Sequence, residues 1–372
     1  MKKTGFPLEH RTASSFVDSG WHIVSNKFYV DDSSGEAREI DLIAYKATKV
    51  EGILVYSAVV ISCKKTSENK WVFMTRESNP QDLNKDWNPL HYWTNEPVLS
   101  YCLTKSGFSK SFATSLSKKS PNLWGLPKVD IFGFQELSPI VQSVSRGQVE
   151  ISGYKPSNDK AIYSSITSLM KAQAYELGRL PDRIKEPRIY VFSLLSVMDG
   201  DMVEVCYDTD PPKLADMQIK GYIAHYIIKN TEQYCRINFV HRDYLKEIIS
   251  EYDKSHQSVA AELKKAITGF YKDVFKDRDK ILALRSLFVS KILVYLNVLG
   301  GFRGEHRVSD EDVSLDYSDE SKTVQINIMT LLDDEKVDSL NGVDALRERA
   351  KKLLKDIYRY EGPFEFAADV PF

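Results

Sequence analysis

Arg38-Glu39-Ile40-Asp41-Leu42-Ile43-Ala44, followed further along the chain by Val59-Val60-Ile61-Ser62-Cys63-Lys64-Lys65, decides how this sequence is interpreted. Each stretch contains a run of apolar residues that is typical of a buried β-strand. Each also carries charged residues, which are rare in a strand that lies in a protein core. The two stretches therefore predict a pair of core strands that carry a polar site.

Three of these residues are predicted to form one cluster. Side chains two positions apart lie on the same face of a strand, so Glu39 projects with Asp41, and Ser62 projects with Lys64. If the two strands are neighbours in a sheet, they bring Asp41, Ser62 and Lys64 together. Ser62 occupies the position where a second carboxylate would complete a metal site.

This cluster has most of the parts that hydrolysis of a phosphodiester needs. Such hydrolysis uses a hard cation, Mg²⁺ or Mn²⁺, which is held by carboxylates and a backbone carbonyl. Asp41 and the carbonyl of Cys63 are the predicted ligands, and Lys64 is predicted to position or activate the attacking water. Glu9, on a predicted first helix, is expected to reach the metal directly or through water.

The order of short motifs along the chain resembles that of the PD-(D/E)xK, or restriction-endonuclease-like, nucleases of bacteria. The motifs are Gly5-Phe6-Pro7-Leu8-Glu9, Gly20-Trp21-His22-Ile23-Val24, Tyr29, Arg38-Glu39-Ile40-Asp41, Ile61-Ser62-Cys63-Lys64-Lys65 and Trp71-Val72-Phe73. A predicted helix at 162–177 and a strand at 189–198, which ends at Asp199-Gly200, match later elements of that fold. The resemblance covers residues 5–240 and depends on the order of the motifs, since each motif alone is weak.

The resemblance implies an α/β fold, with a mixed central sheet flanked by helices, and a metal-dependent nuclease that acts on DNA in bacterial defence or repair. It implies Mg²⁺ or Mn²⁺ as the cofactor, with Asp41, Glu9 and the Cys63 carbonyl as ligands and Glu39 as a further candidate. Lys64 would act on the water.

Ser62 departs from the family pattern, because a hydroxyl replaces a carboxylate and removes a negative charge from the metal site. The family offers two explanations. The acid has moved, here to Glu39 or to Glu176 on the helix after the insertion, or the site has decayed and the fold binds nucleic acid or a protein without cleavage. For Glu39 a strand-edge acid, and for Glu176 a solvated helix face, are the simpler interpretations.

Length and composition describe an ordinary globular protein. The chain has 372 residues, of which 42% are hydrophobic and 27% charged, enough for two domains. We expect a nuclease-like core at 1–245, with a loop-rich insertion at about 77–157, and a mainly helical domain with a hairpin at 246–372. The longest apolar stretch, 287–299, is too short to span a bilayer, and the four separated cysteines favour a reduced, cytoplasmic protein.

Five lysines are the predicted contacts to nucleic acid. The formal net charge is only -2, but no acidic residue lies between Glu96 and Asp130. Phe108, Phe112 and Trp124 alternate with the lysines, a mixture that suits a phosphate backbone and unstacked bases. The alternative is an ordinary helix whose aromatic residues pack inward, and both interpretations stay open. The lysines are Lys105, Lys110, Lys118, Lys119 and Lys128.

Several further elements are predicted from apolar spacing. A strand at 188–198, a turn at Asp199-Gly200 and a strand at 202–207 predict a β-hairpin. The spacing after Arg242 predicts helices at 244–252, 259–275 and 279–299, a hairpin within 313–328 and a final helix at 343–358. A homo-oligomer or a docking surface formed by the helices within 244–299 is a third functional hypothesis.

Overall fold

The computed structural model describes residues 5–32, 34–66, 69–145, 148–180, 185–304, 307–329 and 334–368. The chain forms two compact units, one made of the residues up to Glu96 together with Ser106–Leu263, the other of Pro97–Lys105 together with the residues from Lys264 onward. The predicted α/β class with a mixed sheet is confirmed. The predicted boundary at 245 is the start of a long helix, and the two units divide further along that helix.

Runs of strands and runs of helices follow one another along the described part of the chain. The strands are β1 (His22–Val30), β2 (Ala37–Val50), β3 (Ile53–Lys65), β4 (Lys70–Glu77), β5 (His91–Thr94), β6 (Val129–Ser145), β7 (Gln148–Pro156), β8 (Arg188–Asp199), β9 (Met202–Cys206), β10 (Lys213–Asp216), β11 (Ile219–Ile228), β12 (Thr231–His241), β13 (Val313–Ser318), β14 (Thr323–Ile328) and β15 (Phe364–Ala368). The helices are α1 (Phe6–Asp18), α2 (Pro97–Thr104), α3 (Phe108–Ser117), α4 (Pro121–Trp124), α5 (Lys160–Arg179), α6 (Leu245–Tyr271), α7 (Arg278–Leu299), α8 (Asp334–Ser339) and α9 (Asp344–Tyr358).

The first unit is built on a seven-stranded sheet in the order β1-β2-β3-β8-β12-β11, with β5 also paired to β8. β3 and β12 run parallel to β8, whereas β2 runs antiparallel to both of its neighbours, β1 and β3. β3 lies inside the sheet, and residues 58–63 are all buried. Coverage on both faces explains why this strand reads as a continuous apolar run without alternation.

Two helices position the polar end of β3. α5 directs Ile162, Ile166 and Leu169 into the core of the sheet. α1 buries Leu8, Thr12 and Phe16, and the Sγ of Cys63 lies 3.8 Å from the Oγ1 of Thr12. The end of β3 is therefore fixed by contacts with the neighbouring strands and with α1.

The predicted hairpin of 188–198 with 202–207 is wrong. β9 pairs instead with β4 and β10 in a second, five-stranded sheet. β8 has no free edge for β9, because β3 occupies one side and β5 and β12 share the other. The chain therefore passes from one sheet to the next directly after Asp199.

The predicted loop-rich insertion and two of the predicted helices also differ from the structure. The described residues within 77–157 contain three helices and three strands, and Pro97 and Pro121 stand in the first turns of α2 and α4, where proline is favoured.

The helices predicted at 244–252 and 259–275 form a single helix, α6. The polar residues Ser255, His256 and Ser258 interrupt the apolar spacing. They are buried, however, and no glycine or proline stands between the two predicted helices.

The second unit contains α2, α7, α8, α9 and a three-stranded sheet. The predicted hairpin, β13 with β14, and the final helix α9 are confirmed, whereas β15, which adds parallel to β14, was not predicted. α7 has a mean hydropathy of 1.7 over its most apolar 18 residues, enough to cross a membrane by length and composition alone. The core helix of a soluble protein passes the same test, and Leu284, Phe288 and Ile292 of α7 are buried.

His256 fastens α6 to the sheet of the first unit. Its Nε2 lies 2.8 Å from the Oγ1 of Thr48 on β2, and its Nδ1 lies 2.9 Å from the Oγ of Ser57 on β3. The side chain is buried, and burial lowers the pKa of His256, with a further lowering by the charge of Lys46 and an opposing effect of Asp253. The folded protein therefore favours the neutral ring.

We predict that this histidine makes the protein less stable in acid. Because the pKa of His256 is lower in the folded protein, the unfolded chain takes up the proton first as the pH falls below about 6.5. The free energy of unfolding is then lost between that pH and the folded pKa. Chemical denaturation at a series of pH values should show a smaller acid-dependent loss for His256→Gln than for the wild type.

The partly buried His91 also has a lowered pKa, so some acid dependence should remain in that variant. The matched control is His22→Gln, at an exposed position of β1. Equal slopes for the wild type and His256→Gln would contradict the role of His256.

Candidate active site

The carboxylate of Asp41 is held by the backbone of the neighbouring strand. β2 and β3 pair antiparallel through Leu42 and Ile61, and just beyond this pair the N–H of Cys63 donates to the Oδ2 of Asp41 over 2.7 Å. A hydrogen bond from a backbone N–H to a charged acceptor is stronger than a neutral one. Oδ1 receives no hydrogen bond from the described residues, so this oxygen can face a ligand.

Glu9, Glu39, Asp41 and Lys64 form the charged cluster that we call the acidic centre. Burial raises the pKa of Glu9, the charges of Asp41 and Glu39 raise it further, and Lys64 opposes them. Glu39, Asp41 and Lys64 line one groove, and all three charges act on Glu9, so α1, β2 and β3 bring the four groups near one another. The sequence predicted this convergence, and it carries the case for a site.

Lys64 follows Cys63 on β3 and is partly buried. Within the described part of the chain no carboxylate forms an ion pair with it, although Glu9 lies within electrostatic range. Cys63 itself is a poor nucleophile, because burial and then the charge of Asp41 raise the pKa of its thiol to about 12. Lys64, rather than the thiol, is therefore the group available to a ligand here.

Ser62 is buried among these groups without a hydrogen bond. Its side chain is 3% exposed, and its Oγ has no partner in the described structure. It lines a small cavity together with Glu39, Asp41 and Ser168. Ser196, its neighbour in register on β8, is equally buried but bonds to Ser165 over 2.8 Å.

A groove open to solvent runs over the acidic centre, with about 280 Å³ of space for water. Its opposite wall is a polar stripe on α5, which sequence reasoning missed. The stripe recurs at helical spacing between the buried Ile162, Ile166 and Leu169, so this alternation was the available signal. The stripe consists of Ser164, Thr167, Ser168 and Lys171.

Asp31, directly after β1, forms ion pairs that connect the polar stripe on α5 with β2. Lys171 lies 2.9 Å from Asp31 and 3.2 Å from Asp32, and the Nε of Arg38 lies 3.0 Å from Asp31. Burial lowers the pKa of Lys171, but the hydrogen bonds to Asp31 and Asp32 outweigh it and the pKa is raised. Lys171 is therefore a cation held in place at the edge of the groove.

The two candidates for a displaced acid lie in different surroundings. Glu39 is exposed and lines both the groove and the small cavity. Glu176 is 5% exposed, so the interpretation as a solvated helix face is wrong. It forms an ion pair with Lys27, and its charge adds to the effect of burial in raising the pKa of Tyr45, four residues along β2 from Asp41. Glu176 therefore interacts with partners other than the acidic centre.

The donors of the acidic centre fit a hard cation only in part. Carboxylate, carbonyl and hydroxyl oxygens are the ligands that Mg²⁺ and Mn²⁺ prefer. However, among the described residues no three His, Cys, Asp or Glu side chains lie close enough to hold a metal ion together. Asp41 and the Cys63 carbonyl are the residues that would hold the cation, with Glu9 acting through water.

The five predicted DNA-binding lysines are all exposed, but they do not share one unit. Lys105 belongs to the second unit, where it lies 3.3 Å from Asp279. The other four belong to the first unit, and none of the five lines the groove. Phe112 and Trp124 are buried, so these rings pack inward and do not offer a stacking surface.

We predict that Asp41→Asn lowers the pKa of Glu9. The substitution keeps the size of the side chain and removes one of the charges that raise this pKa. NMR titration of protein labelled with ¹³C-glutamate would detect the change. Asp18→Asn, at an exposed position on the same helix as Glu9, is the control and should leave the pKa as it is. An unchanged pKa of Glu9 in Asp41→Asn would show that the carboxylates of Glu9 and Asp41 do not interact.

Comparisons with known proteins assign no family, so the function of this site has to be inferred from its residues. The chain has no significant match among family models, among curated proteins or among solved structures. The description of this site therefore depends on the hydrogen bond to Asp41, the charges around Glu9 and the groove above them.

Proposed function

We propose that this protein is a metal-dependent nuclease that hydrolyses phosphodiester bonds in DNA, built on a restriction-endonuclease-like core. The observation that carries the proposal is the acidic centre, in which Asp41, fixed by the Cys63 N–H, meets Glu9 and Lys64. Carboxylates beside a lysine at the ends of two paired strands, below an open groove, suit cation-assisted attack on a phosphate.

Each residue has a chemical role in this proposal. A bound Mg²⁺ or Mn²⁺ would neutralise charge on the phosphate and polarise a water molecule. Asp41 and the Cys63 carbonyl would hold the cation, and Lys64 would donate a hydrogen bond that orients the water. Glu9 accepts the proton of the water, a role that its raised pKa favours because a more basic carboxylate takes up a proton more readily.

The groove supports a polynucleotide as the substrate. The hydroxyl of Ser164 is proposed to donate to a phosphate or sugar oxygen. The hydroxyls of Thr167 and Ser168 donate to the carbonyls of Tyr163 and Ser165, so they offer the groove acceptor oxygens, and the charge of Lys171 is balanced by Asp31 and Asp32. The exposed lysines of the first unit are proposed to attract the DNA from further away.

A second candidate is a module that binds nucleic acid without cleaving it. Ser62 is the observation that favours it, because the hydroxyl supplies no charge to a cation and three metal-binding side chains do not meet among the described residues.

The third hypothesis is association with a second copy or another protein through the C-terminal helices. The observation that favours it is the exposure of Val294 and Val298 on α7.

We predict DNA cleavage that requires Mg²⁺ or Mn²⁺ and falls by about a hundredfold or more in Asp41→Asn and in Lys64→Ala. Asp41→Asn removes the charge that holds the cation, and Lys64→Ala removes the donor to the water. Cleavage of a labelled duplex and of the corresponding single strand, with and without EDTA, provides the measurement.

The matched controls are Asp18→Asn on α1 and Lys49→Ala on β2, both at exposed positions, and they should retain activity. Undiminished cleavage in Asp41→Asn and Lys64→Ala would locate the activity elsewhere. DNA binding without cleavage by any of these proteins would favour the second candidate.

We predict salt-dependent DNA binding that weakens when Lys118 and Lys119 are replaced by glutamine. Each lysine that contacts a phosphate should contribute about 0.9 to the slope of log affinity against log salt. Fluorescence anisotropy over a series of salt concentrations measures this slope. Lys351 and Lys352, also adjacent and exposed, give the matched control. An equal loss in both double variants would mean that Lys118 and Lys119 act only through net charge.

A further inference from the structure

Phe6 and Phe28 are the most exposed phenylalanine, tyrosine or tryptophan side chains in the described part of the chain. The side chain of Phe6 on α1 is 73% exposed, and that of Phe28 on β1 is 54% exposed. A single exposed apolar side chain on a protein surface is ordinary. These two are of interest because each stands beside a different carboxylate of the acidic centre.

Phe6 stands next to Glu9 on α1. The two residues are three positions apart on one helix, a spacing that leaves about 5–6 Å between their Cβ atoms. The carboxylate of Glu9 also reaches back toward the start of the helix, since its Oε1 would lie 3.2 Å from a Cβ atom placed on Gly5. Phe6 therefore borders the acidic centre on the side of α1.

Phe28 stands next to Glu39. The two residues are direct partners in the antiparallel pairing of β1 with β2. Side chains of direct partners project from the same face of a sheet, with about 4.5–5.5 Å between their Cβ atoms. Glu39 lines the groove, and its charge acts on Glu9. Phe28 therefore borders the acidic centre on the side of β1.

The chemistry of phenylalanine restricts what the two rings can bind in a nucleic acid. The side chain has no hydrogen-bond donor or acceptor, so it offers only an apolar ring, on which any unstacked base can lie. In a duplex the faces of the bases are covered by the neighbouring base pairs, and a base must leave the stack before a side chain can cover it. Rings beside a reacting phosphate therefore favour an unpaired strand.

We infer that Phe6 and Phe28 stack on unpaired bases next to the phosphate at the acidic centre, so that the protein prefers single-stranded DNA to duplex DNA. This inference rests on the proposed function for the position of the phosphate, and it deepens that proposal by naming the form of the substrate. Little dependence on base sequence is expected, because every base has a face that can stack.

The test compares a labelled single strand with the duplex of the same sequence. Fluorescence anisotropy in EDTA measures binding without cleavage. We expect the wild type to bind the single strand more tightly than the duplex. Phe6→Ala and Phe28→Ala should each lose about tenfold in affinity for the single strand, the effect of removing one base stack, with little change for the duplex.

The salt dependence identifies the lost contact as stacking. A lost phosphate contact reduces the slope of log affinity against log salt, whereas a lost stack leaves this slope unchanged. Both alanine variants should therefore keep the wild-type slope. Phe28→Tyr, which retains the ring, should bind as the wild type does. The matched control is Phe132→Ala, at a phenylalanine of β6 that is 47% exposed, and it should keep the wild-type affinity.

Single strands that lack one base at a chosen position locate the stacked bases. The wild type should lose affinity when a base that lies on either ring is missing. Phe6→Ala and Phe28→Ala should each be indifferent to the loss of the base that its own ring would cover, because that contact is already absent. A change that merely disturbed the fold would weaken binding equally at every position.

The outcomes separate this inference from the proposed function. Equal affinity of the wild type for the single strand and the duplex would overturn the inference even if the protein cleaves DNA with Mg²⁺. Unchanged single-strand affinity in either alanine variant would overturn it as well. Single-strand binding that depends on both rings, without cleavage in Mg²⁺ or Mn²⁺, would support the inference and count against the nuclease proposal.

Discussion

The hydrogen bond from the backbone N–H of Cys63 to the Oδ2 of Asp41 is the interaction on which the site depends. Asp41 is partly buried in β2, and a hydrogen bond from a backbone N–H stabilises a charged carboxylate there. The donor comes from the adjacent strand, so the bond can form only when β2 and β3 are in register. The pairing that builds the sheet thus also fixes the direction of the carboxylate.

The other features of the acidic centre follow from this arrangement. β3 is covered on both faces, so its last residues leave the core between α1 and α5. Glu9 approaches from α1, while the polar stripe of α5 forms the opposite wall of the groove. Ser62 is left inside with a hydroxyl that the described protein groups do not satisfy, which makes it the chemically distinctive residue of the centre.

Local patterns predicted the elements well where the signal lies within one segment. Helix α5 and strand β8 were expected within two residues of their observed bounds, because apolar periodicity reflects the burial of a single strand or helix face. Strands β2 and β3 each extend six residues beyond the stretches that predicted them. The pairing of strands and the long-range contacts of helices were harder to predict. The hairpin expected after β8 failed because the neighbours of β8 come from distant parts of the chain, and α6 was divided in two because its buried polar residues bond across to β2 and β3.

The sequence by itself determined that Asp41 and Lys64 stand in core strands, with Glu9 on the first helix, since residue type and spacing are local properties. Only the tertiary structure decided that Ser62 has no partner among the described residues, that hydroxyls of α5 line the groove, and that Glu176 pairs with Lys27, 149 residues away in the chain. The reason is physical: a hydrogen bond or an ion pair depends on distances of a few ångströms between segments, and local spacing carries no information about them.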